Sequence, residues 1–485
     1  MARAPEGPSL TRVLDLLRAG MAVEDALRLV MMLILLRHEA EDTAQADENG
    51  YRPTDPPLAW QVVSRSDLSH PFSLEEAIGN GLSRWESDHH TRLDLEVPSL
   101  GRARAPQLAP LLELVATTPD PPALFDTCLE ALTQTAGKGG QYFTPRGITS
   151  LLVDLMDPRE GEGVYDPACG SGGFLLQSFA HVAAAGGRAD QLALYGQDVD
   201  RASLQIAAMN LAVHGVEARL AGPGSTLLDD RFRQDSFDVV MVNPPFNQTH
   251  WDDAHQVSYD PRWIYGAPPA GNANFAWVQH GVSKMSASGR AAVLLPTGAA
   301  SGARPAERDI RARLVEADVL SCVVELPAGL IPHVRNAVSL WLFSRSKQAH
   351  RVWGNSDRRG QFLLIDARDS VVSGGRGRRA LSPEASTRIA ATFASWRGAE
   401  IPGSPPGPHP ERYEDVPGWC RSVSTADIAA LEYDVLPTRH TGTPTATSEP
   451  GARAERVVSL TEELYEHFEM SHRLECELRD LLGPL

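Results

Sequence analysis

The chain has few cysteines and no apolar run long enough to cross a membrane. Its five cysteines are dispersed among 485 residues without a C-x-x-C pair, so the sequence predicts neither a zinc site nor a disulfide framework. The apolar run Leu29–Leu36 lies between Arg28 and Arg37, which is too short for a bilayer span. It also begins too far along the chain for a secretory signal. We therefore expect a protein of the reducing cytoplasm with no membrane contact.

Positive charge is also scarce. The chain carries 45 Lys and Arg against 62 Asp and Glu, with a formal net charge of −17 and a pI of about 5.4. Because contacts with phosphates supply most non-specific affinity for DNA, such a chain is poorly suited to binding DNA by itself. A local basic face or a basic partner would be needed, and we favour the partner. The sequence has no Walker A motif, helicase signature or nuclease constellation.

The most informative motif, Asn-Pro-Pro-Phe, follows a strand-like run. Residues Phe237–Val242 have the length and β-branched content of a buried parallel strand. The motif then lies at the carboxyl end of that strand, where open α/β sheets bind ligands. Two prolines remove two backbone donors, so nearby carbonyls can accept hydrogen bonds from a planar exocyclic amine. The candidate catalytic residues are Asn243, Pro244, Pro245 and Phe246. Taken alone, the motif also fits a structural Pro-Pro turn.

A glycine-rich loop lies upstream of this motif. It follows the short apolar stretch Gly163–Tyr165 and precedes a helix-like segment, and a strand, glycine loop and helix allow backbone to approach a nucleotide-like ligand closely. The acidic residue at the end of the next apolar segment is placed where ribose hydroxyls are usually held. The candidate cofactor-binding residues are Asp166, Ala168, Gly170, Ser171, Gly172, Gly173, Phe174 and Asp198.

Two classes of cofactor fit a glycine loop followed by an acid. An NAD site would have the G-x-G-x-x-G register, which this loop lacks, and Asp166 would repel a pyrophosphate. The same carboxylate would attract the amino group of an amino acid, and S-adenosylmethionine carries such a group and no phosphate. An NAD-dependent oxidoreductase also leaves the Asn-Pro-Pro-Phe motif unexplained.

In this order, DPACGSGGF, YGQD and NPPF resemble the motifs of the N6-adenine DNA methyltransferases. Upstream, GGQYFTP is similar to the GGQFFTP segment of the modification subunits of type I restriction systems, which covers the methionine end of the cofactor. The resemblance therefore adds the candidate cofactor-binding residues Gln141, Tyr142, Phe143, Thr144 and Pro145. The family's G-D-T-L loop is G-S-T-L here, which adds Ser225, Thr226 and Leu227. Ser225 replaces an acid that contacts the adenine amine of the cofactor, so we expect that contact to be weaker.

Strand-like and helix-like runs alternate through the centre of the chain, which implies an α/β fold with a doubly wound sheet. The resemblance implies that this sheet is the Rossmann-like sheet of an S-adenosylmethionine-dependent methyltransferase. It also implies a helical N-terminal domain and a helical C-terminal tail. We expect a helical domain over residues 1–118, a catalytic domain over 119–375, a linker and extension over 376–450, and a C-terminal helix over 451–485. Leucines at spacings of three and four predict that last helix. It either packs on its own chain or contacts another subunit.

The resemblance implies methyl transfer from S-adenosylmethionine to the exocyclic N6 of a flipped adenine in double-stranded DNA. The chain would be the modification subunit of a type I restriction-modification or related defence system. A separate DNA-specificity subunit is then expected as a partner, and a restriction or translocase subunit is a possible second partner. The alternatives are a stand-alone adenine methyltransferase, a catalytically weakened cofactor-binding scaffold, and NPPY-type enzymes that methylate glutamine amides in proteins or guanine amines in RNA. Phe246 and GGQYFTP favour adenine in DNA.

Overall fold

A computed structural model describes most of the chain. The described residues are 9–18, 20–48, 58–66, 68, 70–89, 93–100, 105–135, 144–257, 259–331, 334, 336–350, 354–373, 379–399, 413–443, 461 and 465. The predicted tail helix lies outside them except for residues 461 and 465. Gln141, Tyr142 and Phe143 also lie outside the described residues, whereas Thr144 and Pro145 lie within them.

Helices form the N-terminal region. They are α1 (Leu10–Leu17), α2 (Val23–Glu48), α3 (Leu58–Ser64), α4 (Pro71–Asp88), α5 (Ala105–Thr117) and α6 (Pro121–Thr135). Every side chain of the apolar run Leu29–Leu36 in α2 is buried, with at most 2% of its surface exposed. The other five helices of this region pack around α2, and a helix surrounded in this way can be apolar on all faces. The short run therefore lies in a core helix.

A nine-stranded sheet forms the centre of the molecule. Its strands are β1 (Gly163–Asp166), β2 (Ala193–Gln197), β3 (Arg219–Ala221), β4 (Phe237–Val242), β5 (Met285–Pro296), β6 (Leu320–Leu326), β7 (Val338–Ser344), β8 (Gln361–Asp366) and β11 (Cys420–Ser424). The order is β11-β8-β6-β7-β5-β4-β1-β2-β3. Strands β7 and β11 run antiparallel to the rest. Strands β9 (Val371–Ser373) and β10 (Arg379–Leu381) form a separate antiparallel pair.

Helices cover both faces of this sheet. They are α7 (Arg146–Met156), α8 (Gly173–Ala184), α9 (Arg201–Val213), α10 (Asn274–Ser283), α11 (Gly298–Ser301), α12 (Pro305–Glu316), α13 (Pro383–Arg397) and α14 (Thr425–Ala429). Two short 3-10 helices lie at Ala189–Gln191 and Pro437–Arg439. One apolar core joins α7, α8 and α13 to one face, and another joins α10, α12 and α14 to the other. The predicted doubly wound α/β fold is thus confirmed.

Helix α9 connects the helical region to the sheet. Its Leu204, Ile206 and Met209 belong to the apolar cluster of α2 and α6, together with Cys169 of the glycine loop. The predicted boundary at residue 118 falls between α5 and α6, and the division into four parts remains a prediction. Within the described part of the chain, every helix is too short or too polar to cross a membrane.

Candidate functional site

The three sequence motifs meet in one cavity. Strands β4, β1 and β2 are neighbours in the sheet, so the loops at their carboxyl ends lie side by side. These loops enclose a cavity of about 690 Å³. The predicted site residues that line it are Ala168, Gly170, Asp198, Ser225, Thr226, Asn243 and Pro245.

The glycine loop is held in a left-handed conformation by hydrogen bonds from two neighbouring elements. Gly170 and Gly172 have φ angles of +52° and +79°, which glycine adopts without a Cβ penalty. The backbone N–H of Cys169 donates to the Gln197 carbonyl of β2 at 3.0 Å. On the other side, the side-chain amide of Asn210 in α9 donates to the Ser171 carbonyl at 2.8 Å. These contacts fix the backbone that faces the cavity.

The remaining loop residues shape the turn into α8. Gly172 is the N-cap of α8 and Gly173 is its first residue. Phe174 is 3% exposed and packs into the core under the sheet face. Ser171, Gly172, Gly173 and Phe174 are not among the described residues that line the cavity, so a direct cofactor contact by these residues stays a prediction.

Two carboxylates lie next to this loop. Asp198 accepts hydrogen bonds from the backbone N–H groups of Gly170 at 2.8 Å and Asp200 at 2.9 Å. Asp166 accepts one from Ala168 at 3.0 Å and is 1% exposed. Burial raises the pKa of both carboxyls above the usual range, and the proximity of Asp198 raises the pKa of Asp166 further. A cationic or hydrogen-bond-donating ligand would therefore stabilise their charged forms.

The Asn-Pro-Pro-Phe loop presents only part of its surface to the cavity. Asn243 and Pro245 line it, whereas Pro244 is buried. The side-chain amide of Asn243 donates to the hydroxyl of Thr144 at 2.9 Å. Phe246 is half-buried, packs against the core shared by α7, α8 and α13, and is not among the described lining residues. Its predicted catalytic role thus stays a prediction.

A set of asparagines fixes the chain just beyond this loop. The backbone N–H of Asn247 donates to the side-chain oxygen of Asn274 at 2.9 Å, and the Asn274 amide donates back to Asn247 at 2.9 Å. Asn272 adds a third bond to Asn247 at 3.3 Å. Asn247 has a φ of +52°, a conformation that asparagine tolerates better than most residues. Helix α10 therefore sets where the Asn-Pro-Pro-Phe loop ends.

The G-S-T-L segment divides between cavity and core. Ser225 and Thr226 line the cavity, and the Thr226 hydroxyl donates to the Pro167 carbonyl at 2.6 Å. Leu227 is 1% exposed and packs in the core with α10 and α12. Thr226 thus joins the segment to the glycine loop by a hydrogen bond. The side chain of Ser225 is placed to contact a ligand in the cavity.

Several lining residues were missed by the sequence analysis. They are Glu24, Asp25 and Arg28 of α2, Leu132 of α6, Pro167, Val199, Asp200, Ser203, Leu228, Gln248, His250, Trp251 and Trp277 of α10. Helix α2 is far from the other motifs in sequence, so no local pattern could reveal its three charged residues. The buried Trp277 indole N–H and Gln248 side-chain oxygen have no hydrogen-bond partner among the described residues.

The lining fits S-adenosylmethionine in size and charge. A volume of about 690 Å³ is in the usual range for cofactor sites. Four acidic residues, Glu24, Asp25, Asp198 and Asp200, line the cavity against one arginine, Arg28. Such a lining suits a ligand with a sulfonium and an ammonium group. No cluster of three or more potential metal ligands occurs within the described ranges.

The fold is shared with a methyltransferase subunit of known structure. The type I restriction-modification methyltransferase subunit of Streptococcus thermophilus superposes with a TM-score of 0.67 at 20% identity, covering 89% of this chain and 97% of that one. Residues 123–449 match the N-6 DNA Methylase family. The chain belongs to this family, which confirms the resemblance inferred from its motifs.

Two relatives in sequence are methylase subunits of type I restriction enzymes. The HindI methylase subunit of Haemophilus influenzae is 33% identical over 75% of this chain and 77% of its own length. The MjaIX methylase subunit of Methanocaldococcus jannaschii is 29% identical over 75% of this chain and 62% of its own length. The similarity to these two relatives thus covers three quarters of this chain.

Proposed function

We propose that the chain transfers a methyl group from S-adenosylmethionine to the exocyclic N6 of adenine in double-stranded DNA. It would act as the modification subunit of a type I restriction-modification system. The observation that carries this proposal is the meeting of Asn243, the glycine loop and Asp198 in one cavity. Family membership and the names of the relatives support the same reaction.

The target amine must first leave the duplex. Base pairing hides N6, so the adenine is flipped into the cavity at a cost of a few kcal/mol. We assign one face of the flipped base to Phe246, since base–aromatic stacking returns about 1–3 kcal/mol. The half-buried position of Phe246 beside Pro245 supports this role: its ring is held by the core and need not be ordered when the base arrives.

Two carbonyls then accept the hydrogens of the amine. We assign these roles to the side chain of Asn243 and the main chain of Pro244. As N6 becomes tetrahedral it gains positive charge, and carbonyl dipoles already in place stabilise that charge in a site shielded from water. No strong base is needed before attack, because alignment and charge placement supply most of the gain.

The cofactor supplies a methyl group activated by a sulfonium. We assign Asp198 to the ribose hydroxyls, because its carboxylate lines the cavity at the end of β2. Asp166 would attract the amino group of the methionine moiety. The small residues Gly170 and Ala168 would allow the cofactor to approach the backbone closely. Ser225 would accept a weak hydrogen bond from the adenine amine of the cofactor. Gln141, Tyr142, Phe143 and Pro145 would cover the methionine end.

We also propose a separate specificity subunit as a partner. The net charge of −17 is unfavourable for binding DNA alone, and a basic partner would supply the missing phosphate contacts. The predicted tail helix is the proposed contact with that subunit. A restriction or translocase subunit would supply DNA cleavage, and the complex would work in the cytoplasm.

Replacing Asn243 tests the reaction. In source cells that lack the gene, complementation with wild type should restore N6-methyladenine at a gapped sequence, measured across the genome. Asn243→Ala should lower methylation by about a hundredfold or more, as for loss of one preorganised polar group. The purified Asn243→Ala protein should still bind S-adenosylmethionine in calorimetry.

The matched control is Asn355→Ala, because Asn355 is exposed and is not among the cavity-lining residues. It should methylate at the wild-type level. Near wild-type methylation by Asn243→Ala would refute the catalytic assignment. If wild type binds the cofactor but adds no methyl groups to DNA, the chain is a cofactor-binding scaffold instead.

A further inference from the structure

A single hydrogen bond links the predicted catalytic amide to a different segment of the chain. Thr144 precedes α7, whereas Asn243 follows β4. The Asn243 side-chain nitrogen lies 2.9 Å from the Thr144 hydroxyl oxygen. Thr144 is not among the described residues that line the cavity, although Asn243 is. The hydrogen bond therefore joins a residue that lines the cavity to one that is not among the described lining residues.

The two ends of an amide are chemically opposite, so its orientation decides what it can bind. Its oxygen accepts hydrogen bonds and its nitrogen only donates them. An adenine amine needs an acceptor, and an amide turned by 180° would present two donors to it. The Thr144 hydroxyl accepts from the amide nitrogen, which leaves the oxygen of Asn243 as the side-chain atom that can accept from an amine.

The segment that carries Thr144 is itself fixed. The Pro145 carbonyl accepts from the backbone N–H groups of Ile148 at 2.9 Å and Thr149 at 3.0 Å, which seats it at the first turn of α7. Arg146 forms an ion pair with Asp126 of α6. The hydroxyl thus lies on a helix start held by local hydrogen bonds, with a link to the helical region.

We infer that Thr144 is a positioning residue that sets the orientation of the Asn243 amide before the target base arrives. This inference rests on the proposed function and revises the expected role of Thr144, which the family resemblance assigns to the cofactor. In this role Thr144 acts through Asn243 and is not itself among the described residues that line the cavity. Its removal should therefore affect the transfer step and leave both binding steps intact.

Thr144→Val and Thr144→Ser provide the test in the full-length protein assembled with the proposed specificity subunit. Valine keeps the shape of threonine but has no hydroxyl, whereas serine retains it. With DNA carrying the target sequence mapped in source cells, Thr144→Val should lower the single-turnover transfer rate by about a hundredfold, as for misplacement of a reacting group. Thr144→Ser should restore the rate to within a few-fold of wild type.

Two binding measurements separate positioning from other roles. The dissociation constant for S-adenosylmethionine and the fluorescence of 2-aminopurine at the target position, which reports base flipping, should match wild type in Thr144→Val. A weaker cofactor affinity that accounts for the whole loss of rate would overturn the inference, as would wild-type transfer by Thr144→Val.

Thr149→Val is the matched control for simple loosening of the segment. The Thr149 hydroxyl donates to the carbonyls of Thr144 and Pro145 at 3.4 and 3.3 Å but does not contact Asn243. An equal loss of transfer rate in Thr149→Val and Thr144→Val would overturn the inference, and a much smaller loss is expected. Absence of methylation by wild type would instead refute the proposed function, so the two failures are distinguishable.

Discussion

Of two adjacent glycines in the glycine loop, only Gly172 has a backbone conformation that requires glycine. Gly172 has a φ of +79°, whereas Gly173 begins α8 without a positive φ. A Cβ added to Gly172 would meet Ala207 and Leu211 at 3.5 Å, which is ordinary contact. The constraint at Gly172 is therefore the backbone conformation and not the space around it.

Gly172→Ala should lower the free energy of unfolding by about 1–2 kcal/mol, the cost of a left-handed residue with a Cβ. Gly173→Ala is the matched control, since its added Cβ would meet only Thr149, at 4.0 Å, in a helical conformation. It should be neutral or slightly stabilising. Urea denaturation compares the two variants, and equal destabilisation would contradict this account.

At the residue scale, the sequence predicted the parts of the site that are local in the chain. Asn243, Gly170 and Asp198 each follow a strand in a short motif, so their position at one sheet edge could be inferred. The side chain of Leu227 packs in the core, which its motif could not show, and its predicted contact with the cofactor stays a prediction. Arg28 and Trp277 reach the cavity only through tertiary packing.

At the scale of elements, a histidine whose side chain is 10% exposed joins two helices on one sheet face. His181 of α8 lies 3.3 Å from Asp154 of α7 and 3.2 Å from Asp157, which caps the same helix. Burial alone would lower the pKa of His181, but hydrogen bonds with the two carboxylates outweigh it and raise the pKa to about 9. The same contacts hold the pKa of Asp157 below its usual range despite burial.

This pairing predicts a loss of stability at alkaline pH. The pKa of His181 is about 9 in the folded state and near 6.5 when unfolded. The contribution of His181 to the free energy of unfolding is fully present below pH 6.5 and is lost as the pH rises through 9. The difference in melting temperature between wild type and His181→Gln should therefore shrink between pH 7 and pH 10.

The control is His250→Gln. His250 also pairs with an aspartate, Asp253, at 3.0 Å, but its side chain is 80% exposed, so solvent screens the interaction. The difference in melting temperature between wild type and His250→Gln should stay constant from pH 7.5 to 10. A constant difference for His181→Gln as well would contradict the assigned pairing.

The sequence predicted most strands but not the direction of all of them. Strand β4 covers the predicted residues Phe237–Val242. Strands β6 and β8 fall within one or two residues of the strand-like runs Val319–Val324 and Phe362–Ile365. Strand β7 runs antiparallel between β5 and β6. All its residues are buried, like those of β6, so an apolar run carries no signal of direction.

At the scale of the whole molecule, three buried cysteines lie in two different apolar cores. Cys128 and Cys169 lie in the cluster shared by α2, α6 and α9, and Cys322 lies in the core of α7, α8 and α13. Burial raises the pKa of Cys128 to about 12 and raises that of Cys169 and Cys322 well above the usual range. All three thiols should be unreactive in the native protein.

Leu33→Ala should expose two of these thiols selectively. Leu33 is fully buried in α2, and its truncation should destabilise the shared cluster by about 2–5 kcal/mol. Alkylation of Cys128 and Cys169, followed by mass spectrometry, should accelerate by roughly tenfold or more, since local opening controls reactivity. Cys322 is the internal control and should react at its wild-type rate. Equal acceleration at all three would indicate global unfolding.

The wall that α2 contributes has a consequence for inhibitor design. The family match begins at residue 123, whereas Glu24, Asp25 and Arg28 line the same cavity as Asp198. A compound that fills only the space around Asp198 would face chemistry common to many methyltransferases. A compound extended toward Arg28 would contact side chains outside the residues that match the family. Those contacts would give the compound selectivity for this enzyme.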